Sequence, residues 1–288
     1  MGTSDTATGQ GDTYDRSLTH WSEAGRREME SFYVLATEDY RQLALSFDWA
    51  AWLKTHERRV GDRGLRLLDA ACGSGKFPSA LQQYGNLASA RLKPIGYDLL
   101  DPSAFSLKEC RSVLRPPFDP GQDHLCRLQD LDSASLGYDI IWATHALYAL
   151  PPGDLRNGLK NFVDALASGG SGFIAHASAD SHYLKFYDVY LNSRRHGAGT
   201  PYTSAEQIID GLGSLGVACE IKGIDYTCRV PRDNVADVEG YLQRCLFDDT
   251  ISVADMLADP ALARYLDGCR DPDGWYFRQQ VKMIFFTA

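Results

Sequence analysis

The chain has 288 residues, of which 44% are hydrophobic and 23% charged, enough apolar content to bury a globular core. Its net charge of -9 argues against nucleic acid as a partner, because phosphate binding needs basic surface. No apolar run approaches the roughly 20 residues of a membrane span. The N-terminal residues are polar and lack the apolar core of a signal peptide. The cysteines Cys72, Cys110, Cys126, Cys219, Cys228, Cys245 and Cys269 are odd in number and form no CxxC, which suits free thiols in a reducing cytoplasm. The histidines show no ligand spacing, so no metal site is expected.

Taken in chain order, residues 1–13 are rich in Gly, Ser, Thr and Asp and are expected to be disordered. Residues 14–60 read as a helical lid carrying Trp21, Phe32, Tyr33, Tyr40, Phe47, Trp49 and Trp52. Tyr14 or Trp21 could close over a ligand, although packing against the rest of the fold is the commoner role for such rings. Residues 61–288 then alternate short apolar runs with helical patterns, the signature of an α/β sheet. Strand one is Leu65 to Ala70, and a glycine turn leads into a helix through Tyr84 with Pro78 in its opening turn. Strand two, Pro94 to Asp98, ends in an acid. Phe105 to Leu114 reads as helix, and Arg115-Pro116-Pro117 and Pro120-Gly121 break the chain. Leu128 to Leu131 and Tyr138 to Trp142 are the next two short runs. A helix over Asp154 to Leu166, ended by Gly169-Gly170, leads to strand five at Gly172 to His176. Strands six and seven are expected at Val217 to Tyr226 and Val281 to Thr287.

Two segments exceed what such a sheet needs, near 180–202 and 232–272. The first places Tyr183, Phe186, Tyr187 and Tyr190 at helical spacing, either as a core stripe or as an aromatic wall over a site. After it, Thr203-x-x-Glu206 reads as a capping box.

The turn after strand one is the most specific motif. The dinucleotide fingerprint would need glycine at Pro78, and a P-loop would need glycine at Ala70 and Ser or Thr at Phe77. Neither fits. Asp69, Ala71, Gly73 and Gly75 instead resemble motif I of the class I S-adenosylmethionine (SAM)-dependent methyltransferases, acid-x-G-x-G-x-G, with Ala71 in place of the first glycine. The resemblance implies an α/β fold with a seven-stranded, mostly parallel, doubly wound sheet, an antiparallel last strand and a helical cap, with SAM as cofactor. It places Asp69, Ala71, Gly73 and Gly75 at the cofactor loop and Asp98 with Leu99 at the end of strand two. Asp98 lies 23 residues after Gly75, near the ~20-residue spacing of a carboxylate that binds ribose hydroxyls. The resemblance also makes Leu128 to Leu131 and Tyr138 to Trp142 the ends of strands three and four, and sets Asp130 and Leu131 beside the adenine, Thr144 and His145 facing the methyl group, and Tyr14 in the lid.

A sulfonium methyl is already activated, so the enzyme must align the acceptor, exclude water and remove a proton where the nucleophile carries one. His145 and His176 follow strands four and five and are the candidate bases; Tyr148 could hydrogen-bond the acceptor. Tyr183 and Tyr187 would wall a cationic or aromatic group, and Arg194 could pair with a substrate carboxylate. The expected activity is N- or O-methylation of a small molecule, in secondary metabolism. Two alternatives stay open. One is a SAM-consuming cyclase giving azetidine-2-carboxylate and methylthioadenosine; the other is a SAM-binding protein without turnover.

Overall fold

The computed structural model describes residues 11–20, 22 and 26–288. The disorder expected over residues 1–10, the side chains of Phe32 and Tyr33, and Trp21 lie outside that description. Gly11 to Thr13, also expected to be disordered, instead open a helix, because Thr13 is buried and its Oγ1 lies 2.9 Å from the Tyr187 hydroxyl.

Among the described residues three α-helices precede the sheet: α1 (Gly11–His20), α2 (Arg26–Leu45) and α3 (Trp49–Val60). Alternation then follows with β1 (Leu65–Ala70), α4 (Lys76–Tyr84), β2 (Ile95–Leu100), α5 (Ala104–Val113) and β3 (Phe118–His124). Next come β4 (Tyr138–Thr144), α6 (Pro152–Asp164), β5 (Leu166–Ala177), α7 (His182–Ser193) and α8 (Ala205–Ser214). The chain continues through β6 (Cys219–Pro231), α9 (Val235–Leu246), α10 (Val253–Ala258), α11 (Pro260–Asp267), β7 (Arg270–Asp271) and β8 (Gly274–Thr287).

The sheet order is β3-β2-β1-β4-β5-β8-β6, with the two-residue β7 paired to β8. The five strands β3, β2, β1, β4 and β5 are mutually parallel, and β8 runs antiparallel between β5 and β6. This is the expected mostly parallel sheet of seven strands with one antiparallel strand, to which the two-residue β7 adds a short eighth.

Strand alternation sorts the core into two layers. On one face Leu67, Tyr97, Ile140, Trp142 and Phe173 pack against Trp49 of α3, Phe77 of α4 and Leu107 of α5. Trp49 is fully buried, with ring centroids 5.2 Å from Phe77 and 4.8 Å from Phe173. On the other face Leu68, Ala70, Ile141, Ile174 and Ile284 pack against Leu159 and Phe162 of α6 and Ile208 of α8. β4 is buried along its whole length, as a central parallel strand should be.

Four local expectations are corrected. Strand three is Phe118–His124, not the stretch near Leu131; Pro120 is tolerated because β3 is the sheet edge and need not donate on both sides. Leu128–Asp130 forms a 3-10 turn. Helix α6 stops at Asp164, and Gly169-Gly170 lie within β5, in a register irregularity opposite Tyr138 to Ile140, so they do not cap the helix. The capping box sits one residue later, with Ser204 and Gln207 exchanging bonds; Glu206 instead accepts from the Ala179 N–H at 2.9 Å.

A third apolar cluster forms the cap. All four rings of the α7 stripe are buried against α9, α10, α11 and the far ends of β6 and β8. Tyr183 is buried there and also lines a cavity, while Phe186, Tyr187 and Tyr190 of the stripe are core. His182 is buried in it among Phe186, Tyr241 and Phe277, and desolvation pulls its pKa down to about 3. The unfolded chain takes up this proton near pH 6.5, whereas the folded chain refuses it until far lower pH. The stability that depends on the neutral ring is thus complete above pH 6.5 and lost as pH falls towards 3. The His182→Phe variant should lose about 2 kcal/mol less stability than the parent between pH 7 and pH 5, read by urea denaturation at both. Equal losses in the two proteins would show that His182 is not held neutral.

Candidate active site

The site grows from the end of β1. Ala71, Gly73 and Gly75 all have positive φ (57°, 51° and 72°), so the chain turns sharply back before α4 begins. Parallel pairing levels Ala70 with Leu100, and the Cys72 N–H continues the ladder onto the Leu100 carbonyl at 3.0 Å. The carboxyl edge of the sheet therefore lies just beyond Leu100.

Asp101 stands at that edge. Its Oδ2 accepts from the Gly73 N–H at 3.0 Å and its Oδ1 from the Ser103 N–H at 2.8 Å. Burial lifts its pKa to about 6 against the pull of these bonds. A cavity opens beside it, with about 1060 Å³ of space not filled by protein. Ala71 to Ser74 form one wall, Arg127 to Gln129 another, and Thr144 to Leu150 the floor. Tyr14, Ser17 and Leu18 of α1 lie across it as a roof. Burial drives the Tyr14 hydroxyl up to about 12, so it stays protonated.

A second chamber of about 500 Å³ adjoins the first, and Tyr40, His145, Tyr148 and Phe247 line both. Deeper in, it is lined by Tyr183, Tyr202, Arg244, Cys245 and the carboxylate of Asp39. His145 has φ 53° and holds its Nδ1 2.9 Å from the Tyr148 hydroxyl. Burial depresses its pKa to about 3. It is thus a neutral ring that can orient a neighbour, not one that stores a proton near pH 7.

Of the expected cofactor residues, Tyr14, Ala71, Gly73 and Thr144 line the first chamber. His145 and Tyr148 stand where the chambers join, and Tyr183 lines the second. The others lie elsewhere, each for a physical reason. Asp69 points into the α3–α4 layer and accepts from the Tyr97 hydroxyl at 2.6 Å. Gly75 faces α5: a Cβ there would fall 2.6 Å from Val113 Cγ2 and 3.1 Å from the Cys110 Cα. Asp98 sits within β2, where its oxygens accept from the Gln122 N–H and the Tyr138 hydroxyl, both at 2.7 Å. Leu99 is core, and its neighbour Leu100 reaches the cavity. Asp130 is exposed and pairs with Arg127, while Leu131 packs below the second face; Leu128 and Gln129 line the slot in their place.

His176 is fully buried, donates from Nε2 to the Thr203 carbonyl at 2.9 Å, and lies under the Tyr148 ring at 4.1 Å. It supports Tyr148 from behind and does not line the chambers. Tyr187 stacks on Tyr202 at 3.8 Å and binds Thr13, behind the chamber wall. Arg194 ends α7 in solvent.

Sequence reasoning missed Asp101, Gln129 and Asp39. Asp39 carried a signal: it occupies a core position of α2, between Leu35 and Leu43, on a stripe that is otherwise apolar.

A parallel sheet of this order, with a glycine turn and an acidic strand end at its carboxyl edge, is the class I methyltransferase fold. Among solved structures, the chain resembles a magnesium protoporphyrin IX methyltransferase from Synechocystis, determined with bound SAH. The identity is 13% and the TM-score 0.50, covering 94% of this chain and 99% of that one. It resembles a plantazolicin methyltransferase, also with SAH, at 10% identity and a TM-score of 0.51 over 96% and 95% of the two chains. A candidate methyltransferase from Bacillus halodurans aligns at 12% identity with a TM-score of 0.54, over 82% and 97%. No protein-family model and no curated protein matches the sequence.

Proposed function

We propose that the chain is a SAM-dependent methyltransferase acting on a small molecule, with the cofactor in the first chamber and the acceptor in the second. The observation that carries this reading is that Tyr40, His145, Tyr148 and Phe247 line both chambers, which brings a donor site and an acceptor site against the same few side chains. The first chamber suits the cofactor: Asp101 offers acceptors for ribose hydroxyls, Leu100, Leu128 and Leu147 give an apolar slot, and the glycine turn brings backbone close. When bound, SAM supplies an electrophilic methyl on a cationic sulfur. Tyr14 and α1 shut out water, and Tyr148, braced by His145 and His176, holds the acceptor. The small second chamber and the plantazolicin neighbour support a role in secondary metabolism. The seven free cysteines support a cytoplasmic setting, and the charge of -9 supports a partner other than nucleic acid.

The test is incubation of purified protein with SAM alone, then with acceptors, scored by mass spectrometry. S-adenosylhomocysteine release only when an acceptor is present supports methyl transfer. Methylthioadenosine with a four-carbon amino acid, formed from SAM alone, would replace it by the cyclase, a reading the modest second chamber also accommodates. Tight SAM binding with no consumption would leave a silent binder. His145→Ala should cut turnover by roughly ten- to a hundredfold while moving SAM affinity less than about threefold, because the ring orients Tyr148 at the junction. A parental rate would demote His145 to packing.

A further inference from the structure

We propose that Asp39 receives the proton of the reacting group, and that this group is a small aliphatic amine bound as its ammonium in the aromatic second chamber. The inference rests on the methyltransferase reading above and names its substrate class.

Asp39 is 2% exposed yet lines the chamber. Its Oδ2 accepts from the Tyr183 hydroxyl at 2.5 Å, and its Oδ1 from the Tyr226 hydroxyl at 2.7 Å and, weakly, from the Cys228 thiol at 3.8 Å. Three donors leave room on a carboxylate that offers about four lone-pair positions. Among the described residues no Lys or Arg forms an ion pair with it. A buried carboxylate without a cation is costly unless something supplies one. The rings of Tyr40, Tyr148, Tyr183, Tyr202 and Phe247 surround the same space. Aromatic faces with one carboxylate at the end form a receptor for a positive charge.

The chemistry selects among nucleophiles. Desolvation lifts Asp39 to about 7, helped by the neighbouring Glu38 charge. An aliphatic ammonium loses its proton near pH 10, about three units away, so a desolvated carboxylate can take that proton. An alcohol holds its proton far more tightly. The step balances without a further reagent. The ammonium gives its proton to Asp39, and the neutral nitrogen forms a bond to the sulfonium-bound carbon. The carbon–sulfur bond breaks with its electron pair going to sulfur, leaving a neutral thioether and an alkylated ammonium. Asp39 releases its proton to solvent as product leaves. Under the cyclase reading the same carboxylate serves the amino group of SAM itself.

The test pairs small primary and secondary amines with matched compounds bearing hydroxyl or carboxyl in place of nitrogen, each incubated with SAM and the protein. Alkylated nitrogen alone, including that of SAM, is expected. Products on oxygen with none on nitrogen overturn the inference, and so does SAM binding with nothing alkylated. Failure to bind SAM would sink the underlying reading instead. Asp39→Asn should lower amine turnover at least a hundredfold; where the amine is a separate acceptor, SAM affinity by calorimetry stays within about threefold, since Asp39 lines only the second chamber, and a parental rate overturns the assignment. Tyr183→Phe keeps the carboxylate but removes one donor, so the acid limb of kcat/KM should move to higher pH. The remaining groups that face Asp39 are unchanged in it: Tyr226, Cys228, Glu38, and across the chamber His145, Tyr148, Arg244 and Cys245. An unmoved limb would assign the titration to another group.

Discussion

Replacing Asp101 by alanine is expected to weaken SAM binding about a hundredfold, or roughly 2.7 kcal/mol. Two losses add. The ribose hydroxyls lose a buried carboxylate, and hydrogen bonds to charged groups are worth about 1.5–3 kcal/mol each. The glycine turn also loses the acceptor that holds the Gly73 N–H at 3.0 Å. Calorimetric titration with SAM checks this, with Asp98→Ala as the contrast, since Asp98 holds the edge strand and not the cavity. Unchanged affinity in Asp101→Ala would remove it from the site. Asp101 titrates near 6 in the folded chain, so parental affinity should also decline as pH falls below about 6 and the carboxylate becomes neutral.

Gly75→Ala should destabilise the fold by about 2–4 kcal/mol, combining a left-handed backbone with overpacking. The added carbon would meet the Val113 side chain at 2.6 Å, the Cys110 sulfur at 3.0 Å and the Cys110 backbone at 3.1 Å, and backbone cannot swing aside. Gly73→Ala carries the conformational cost without the clash, because nothing lies within 4 Å of its Cβ position. Thermal unfolding of the pair separates the two roles. Equal melting temperatures would mean that α5 yields to the methyl group.

The glycine turn was legible because its residue pattern is local, as were β1 and the long helices, while the antiparallel sense of the last strand came with the methyltransferase resemblance. What the sequence did not resolve was level. Asp98 and Asp101 are both about the right distance from the glycines, yet only pairing with β1 tells where the sheet edge falls. Ala70 is level with Leu100, so Asp98 lies two residues short of Leu100, about 7 Å down the strand. The same blindness picked Asp130 and Leu131, where Leu128 and Gln129 are the residues that line the cavity. β3 escaped because proline and glycine read as breakers, a rule that an edge strand relaxes. Asp39 escaped because burial of one side of α2 against β6, α7 and α9 is a tertiary event.

The roof over the first chamber has a kinetic meaning. Tyr14, Ser17 and Leu18 cover the cavity, but α1 is fastened elsewhere: Thr13 to the Thr200 carbonyl at 3.1 Å and to Tyr187, and Arg16 to the Tyr187 hydroxyl at 3.1 Å. Those fastenings lie on the cap and not on the nucleoside. With the nucleoside in the first chamber, as proposed, its exit is expected to need α1 to detach, so its residence time should follow contacts it does not itself make. Substitutions at Thr13, which lines neither chamber, are therefore expected to act on the turnover clock while leaving the chamber linings as they were.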